Sequence, residues 1–90
     1  MYLHLGQNEI VPDRRVIGIF DLDTAGASKR TQEYFRHMES EGAVADLCGA
    51  GGIPRSFTVT DFPTETIYLS QLSPAALKGR AERFTISGNS

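Results

Sequence analysis

Apolar and polar positions along this chain follow two different periods, and the switches between them mark out the elements. Tyr2, Leu3 and Leu5 around His4 read as a short strand, closed by Gly6-Gln-Asn8. Ile10-Val11 before Pro12-Asp13 reads as an edge piece turning a corner, because proline has no N–H to give to a ladder. Val16 to Leu22 is the clearest strand, and its nearly continuous apolar character predicts cover on both faces, by a helix on one side and a subunit on the other. The period then changes. Thr24 and Ser28 are candidate helix caps, Thr31, Tyr34, Phe35 and Met38 fall on one helical face, and Gly42 supplies a left-handed stop.

Beyond that glycine the two-residue period returns. Ala43 to Cys48 reads as a strand and Gly49-Ala-Gly-Gly-Ile-Pro54 as a loop. Ser56 to Thr60 alternates as a half-buried strand, Asp61 to Glu65 turns, and Thr66 to Ser70 returns as its hairpin partner. Ser73-Pro74 opens a last helix with Leu77, Ala81 and Phe84 on one face, and residues 85–90 read as a flexible tail. The predicted order is β-β-α-β-β-β-α: an α+β fold with a small, mostly antiparallel sheet and two helices, in one domain over residues 1–84.

Ninety residues make one domain, with a core that buries only about two-thirds of the unfolded surface. Cys48 is the single cysteine, so no internal disulfide compensates, and a lone thiol fits a reducing cytoplasmic setting. Self-association is then the least demanding way to add stability. The N-terminus has no basic start and no long apolar core, and no apolar run approaches the roughly 20 residues that cross a bilayer, so no membrane role is expected. A net charge of −2 gives no global attraction to nucleic acid; a local arginine cluster would have to supply it.

Candidate chemistry begins with Asp21 and Asp23, delivered at the end of an apolar strand and followed by Thr24. This resembles the way haloacid-dehalogenase phosphatases present a nucleophilic aspartate and its acid neighbour to magnesium and phosphate. That chemistry also needs a downstream lysine and further acids. Lys78 is the only lysine past the first helix, Asp61 and Glu65 stand isolated, and Thr24 comes one position early. Strand end plus helix cap is the stronger reading, and no catalytic residue, cofactor, metal or small-molecule substrate is assigned. His4 and His37 have no ligand partner at metal spacing, and Cys48 has no basic sequence neighbour to activate it. The glycines at 49, 51 and 52 run into a strand instead of a helix N-terminus, which argues against a phosphate cradle. Arg14 and Arg15 precede the main strand and Arg55 closes the glycine loop. If both turns lie at one end of the sheet, the guanidiniums converge and suit phosphate contacts.

Met1-Tyr-Leu-His-Leu-Gly6, Val16 to Thr24, Ile53 to Thr60 and Tyr68 to Lys78 together resemble the bacterial extracellular-matrix regulator (Rem) family, closer to its RemB branch than to RemA. The likeness runs to about Phe84. It implies a cytoplasmic, non-enzymatic transcriptional regulator of biofilm-matrix genes with a LytTR-like fold, assembled from copies of itself into a ring and binding duplex DNA. By position, Arg15, with Arg14 beside it, matches an arginine used on DNA in the RemA branch, and Arg55 matches the last basic residue of the RemA loop before its next strand. Gly52 and Ile53 stand where RemA carries two adjacent arginines, so part of the salt-dependent affinity is missing here. Two other readings stay open: a protein-interaction module without DNA contact, and, remotely, a magnesium phosphatase using Asp21 and Asp23.

Overall fold

The computed structural model describes residues 2–7 and 9–79. Strands β1 (Tyr2–Gly6) and β2 (Glu9–Pro12) form an antiparallel hairpin. One turn of 3-10 helix at Asp13–Arg15 leads into β3 (Val16–Asp21), followed by α1 (Leu22–Ala25) and α2 (Lys29–Ser40). Then come β4 (Val44–Asp46), β5 (Ser56–Thr60), β6 (Thr66–Ser70) and a helical segment, α3, at residues 74–79. A four-stranded sheet has the order β3-β5-β6-β4, antiparallel except for the β4–β6 pair. The α+β class stands, with three differences from expectation. The piece at Ile10-Val11 is a full partner of β1, the hairpin is a separate sheet, and the described residues hold three α-helices instead of two. Among the described residues no helix is long and apolar enough to cross a membrane.

The chain between β3 and β4 must travel from one edge of the sheet to the other, and α2 makes that crossing over one face. Its stripe lands as the spacing predicts: Met38 is buried with Phe57, Val59 and Ile67, while Tyr34 and Phe35 pack alongside. The Phe35 ring meets Phe57 edge-on at 4.8 Å between centroids, a contact that adds about 1 kcal/mol to simple area burial. Gly42, at φ +69°, ends the helix. Its N–H donates to Glu39 and that of Ala43 to Met38, at 3.0 and 2.9 Å, satisfying two carbonyls of the last turn.

The hairpin and α3 cover the opposite face. Leu3, Leu5, Val11, Tyr68 and Leu77 form its buried cluster. Ser73 caps α3 as expected, its hydroxyl accepting the Ala76 N–H at 3.1 Å; Ala81, Phe84 and the predicted tail lie outside the described residues. This second cover overturns the half-buried reading of β5: all five residues from Ser56 to Thr60 are buried. Their hydroxyls need partners there. Ser56 donates to the Leu72 carbonyl at 2.6 Å, and Ser70 on β6 donates to Leu5 at 3.1 Å, tying the sheet to β1. Thr58 Oγ1 finds none.

The other reversal concerns β3. The most apolar segment of the chain is an edge strand, with Ile17 64% and Phe20 41% exposed. A shift in register between Val16 and Gly18 lets Ile17 bulge toward the α2 side, which α2 does not reach.

An orphaned hydroxyl costs more than its removal. Thr58→Val is expected to raise stability by about 1 kcal/mol, read as a higher urea midpoint with unchanged slope.

Candidate functional site

Pairing register decides where the arginines stand. In the β3–β5 pair, Val16 lies opposite Thr60 and Asp21 opposite Ser56. Arg15, just before β3, is therefore beside Asp61, just after β5. The Asp61 N–H donates to the Arg15 carbonyl at 3.1 Å, and the two half-exposed side chains form an ion pair at 3.5 Å. Arg14 is exposed next to it in the 3-10 turn. Arg55, just before β5, falls at the other end of the strand pair, roughly 17 Å away along the strands. The expected convergence of Arg14, Arg15 and Arg55 at one end of the sheet does not occur within the chain. The antiparallel register forbids it.

Arg55 is held by its backbone on both sides. Its N–H donates to Ser70 at 2.8 Å and its carbonyl accepts from Leu22 at 3.1 Å, leaving the side chain exposed at the mouth of the glycine loop. That loop is built for glycine. Gly49 and Gly51 have φ of +77° and +75°, and a Cβ at Gly52 would collide with the Cys48 carbonyl. An arginine at position 52 does not fit this loop, and Ile53 beside it is 79% exposed. Cys48 itself is buried, its thiol pushed up by burial and then by Asp46, which keeps it protonated and unreactive.

The aspartates at the end of β3 have a structural task. Asp21 is the N-cap of α1, its Oδ1 accepting the N–H groups of Asp23 at 2.7 Å and Thr24 at 3.3 Å. Asp21, Thr24, Ser73 and Lys78 line one shallow cleft, so the fold does bring a lysine toward Asp21. The other acids are spent elsewhere: Asp61 on Arg15 at the opposite end and Glu65 on Tyr34. Among the described residues no three of His, Cys, Asp and Glu come together in a metal-binding group. His37 lies exposed in the last turn of α2, and His4 on the outer face of the hairpin.

An apolar concavity lies between β3 and α2. It is a groove of about 510 Å³ lined mainly by Ile17, Phe20, Ala25, Tyr34, Phe57 and Val59, with Arg30 and Glu65 also contributing. Phe20 stacks on Phe57 at 5.1 Å, and its ring lies so close over Gly18 that a Cβ there would be 2.6 Å from it. Tyr34 donates to Glu65 Oε2 at 2.5 Å, latching α2 to the β5–β6 turn. Burial, and then the Glu65 hydrogen bond and charge, push the Tyr34 phenol up to about 12. Sequence reasoning missed this groove because Ile17 and Phe20 read as core. It missed the Arg15–Asp61 and Tyr34–Glu65 pairs because both join residues far apart in the chain.

No family model matches the chain. It is 34% identical over 82 residues to the Extracellular matrix regulatory protein B of Bacillus subtilis (strain 168), an alignment covering 91% of each chain.

A phenol held neutral in the fold stabilises it fully below pH 10, the ordinary tyrosine value, and the contribution disappears as pH rises through about 12. Urea melts across that window are expected to show wild-type stability falling with pH, and Tyr34→Phe losing that part of the slope.

Proposed function

The chain belongs to the extracellular-matrix regulator family, on its RemB-like side, and on that premise we propose that it is a cytoplasmic, non-enzymatic regulator of biofilm-matrix genes. In this reading it self-associates and contacts duplex DNA through Arg14, Arg15 and Arg55. The observation that carries the proposal is similarity along nearly the whole length of a protein named for matrix regulation. Three exposed arginines support the DNA part, with Arg15 and Arg55 on backbone held by hydrogen bonds, since exposed guanidiniums suit phosphate oxygens. Because Arg15 and Arg55 stand at opposite ends of the sheet, a single protomer offers two weak contacts instead of one strong one. Repetition of those contacts around an assembly would turn them into useful affinity.

Specific features favour a second reading, a protein-interaction module without DNA contact. Arg15 already has Asp61 as counter-charge, net charge is −2, and the glycine loop presents an apolar Ile53 where the RemA branch carries arginine. An exposed isoleucine at a loop tip suits a protein surface better than a phosphate backbone.

Titrating labelled duplex from a matrix-gene promoter at several salt concentrations separates the two. The DNA-binding reading expects log affinity to fall linearly with log salt, and Arg15→Ala with Arg55→Ala to flatten that slope by roughly one for each arginine lost. The double variant should stay within about 1 kcal/mol of wild type in stability, because an exposed ion pair is worth little. Unchanged binding in the variant removes these residues from the interface, and no salt-dependent binding at all favours the interaction module.

A further inference from the structure

The first turn of α2 departs from the usual chemistry of a helix start. That end of a helix carries partial positive charge, and chains commonly meet it with a capping side chain or an acid. Here Ser28 occupies the N-cap but makes no side-chain hydrogen bond, and the first turn holds no acid. It carries Lys29 and Arg30 instead, both exposed. Gln32 is the first residue whose N–H reaches a carbonyl, that of Ser28 at 3.0 Å. The N–H groups of Lys29, Arg30 and Thr31 therefore have no acceptor among the described residues, and neither do the Arg30 guanidinium and the Thr31 hydroxyl. The nearest acids in the sequence are Asp23 and Glu33, and neither forms an ion pair with Lys29 or Arg30 among the described residues.

What these donors face is the groove between β3 and α2, which Arg30 and Thr31 both line. Its other walls are largely apolar, with Ile17 64% and Phe20 41% exposed beside Val59 and Phe57. The acid in the groove, Glu65, is engaged a turn further along α2, where it accepts the Tyr34 hydroxyl. A volume of about 510 Å³ falls in the range of small-molecule sites. Unsatisfied donors at one place and open apolar wall beside them call for an anion with a hydrocarbon body. We infer that the groove and the start of α2 together bind a free medium-chain fatty acid. Its carboxylate is taken by Arg30, Thr31 and the unpaired N–H groups, and its chain lies over Ile17, Phe20 and Val59. A carboxylate accepts several donors at once and matches the guanidinium fork. A flexible chain fits better than a planar ring, because Phe57 already has Phe20 stacked on it and Phe35 against it edge-on. Arg14, Arg15 and Arg55 do not line this groove, so the site stands or falls independently of DNA contact.

Isothermal titration of the full chain with octanoate, octanol and octylammonium, equal in chain length and different in head group, tests it. Octanoate is expected to saturate a single site and to bind tighter than the other two. Arg30→Gln should weaken octanoate about tenfold and leave octanol unchanged. Ser28→Asp, which offers α2 a carboxylate of its own, should raise the melting temperature and yet weaken octanoate by a similar factor. Ile17→Ser, at an exposed position, should weaken octanoate and octanol alike. Octylammonium binding as tightly as octanoate, or octanoate affinity unmoved by both Arg30→Gln and Ser28→Asp, overturns the anion site. No saturable binding of octanoate by wild type overturns the proposal outright.

Discussion

Both faces of β5 are covered: Phe57 and Val59 are committed to α2, and Ser56, Thr58 and Thr60 are buried on the other side. A strand whose two faces are both used cannot lie at the surface, and this places β5 and β6 at the centre of the sheet. The β1–β2 hairpin provides that second cover. Leu3, Leu5 and Val11 supply the apolar cover. The hydroxyls of Ser56 and Ser70 supply hydrogen bonds to Leu72 and Leu5 that a purely apolar cover would leave unmade. Three layers in fewer than eighty described residues follow from that double use, and the Thr58 hydroxyl is the one misfit it leaves.

What the residues disclose on their own is what local periodicity controls. The α2 stripe of Tyr34, Phe35 and Met38, the stop at Gly42 and the Ser73 cap depend on neighbours within a few positions, and each is found where the pattern puts it. Strand order is different, because it depends on which distant segments pair. Alternation in Ser56 to Thr60 looks identical whether the polar face meets water or a hairpin. An apolar run such as Val16 to Phe20 looks identical at the centre of a sheet or at its edge. The arginines show the same limit. Both precede strands, and only the antiparallel register between β3 and β5 sends Arg15 and Arg55 to opposite ends.

The functional surface inherits these constraints. Asp21, which invites a catalytic reading in the sequence, spends its carboxylate holding the first turn of α1. The glycine loop keeps Arg55 but cannot accept a side chain at Gly52, so in this chain its contribution to any anionic partner is narrowed to one guanidinium. Membership of the matrix-regulator family and a sparse set of arginines are compatible if copies of the chain act together, as proposed above.

Sedimentation velocity as a function of protein concentration, with and without duplex DNA, tests this most directly. An average mass that rises with concentration is the result expected if copies act together. A single monomeric species from dilute to concentrated solution, on DNA and off it, would contradict it.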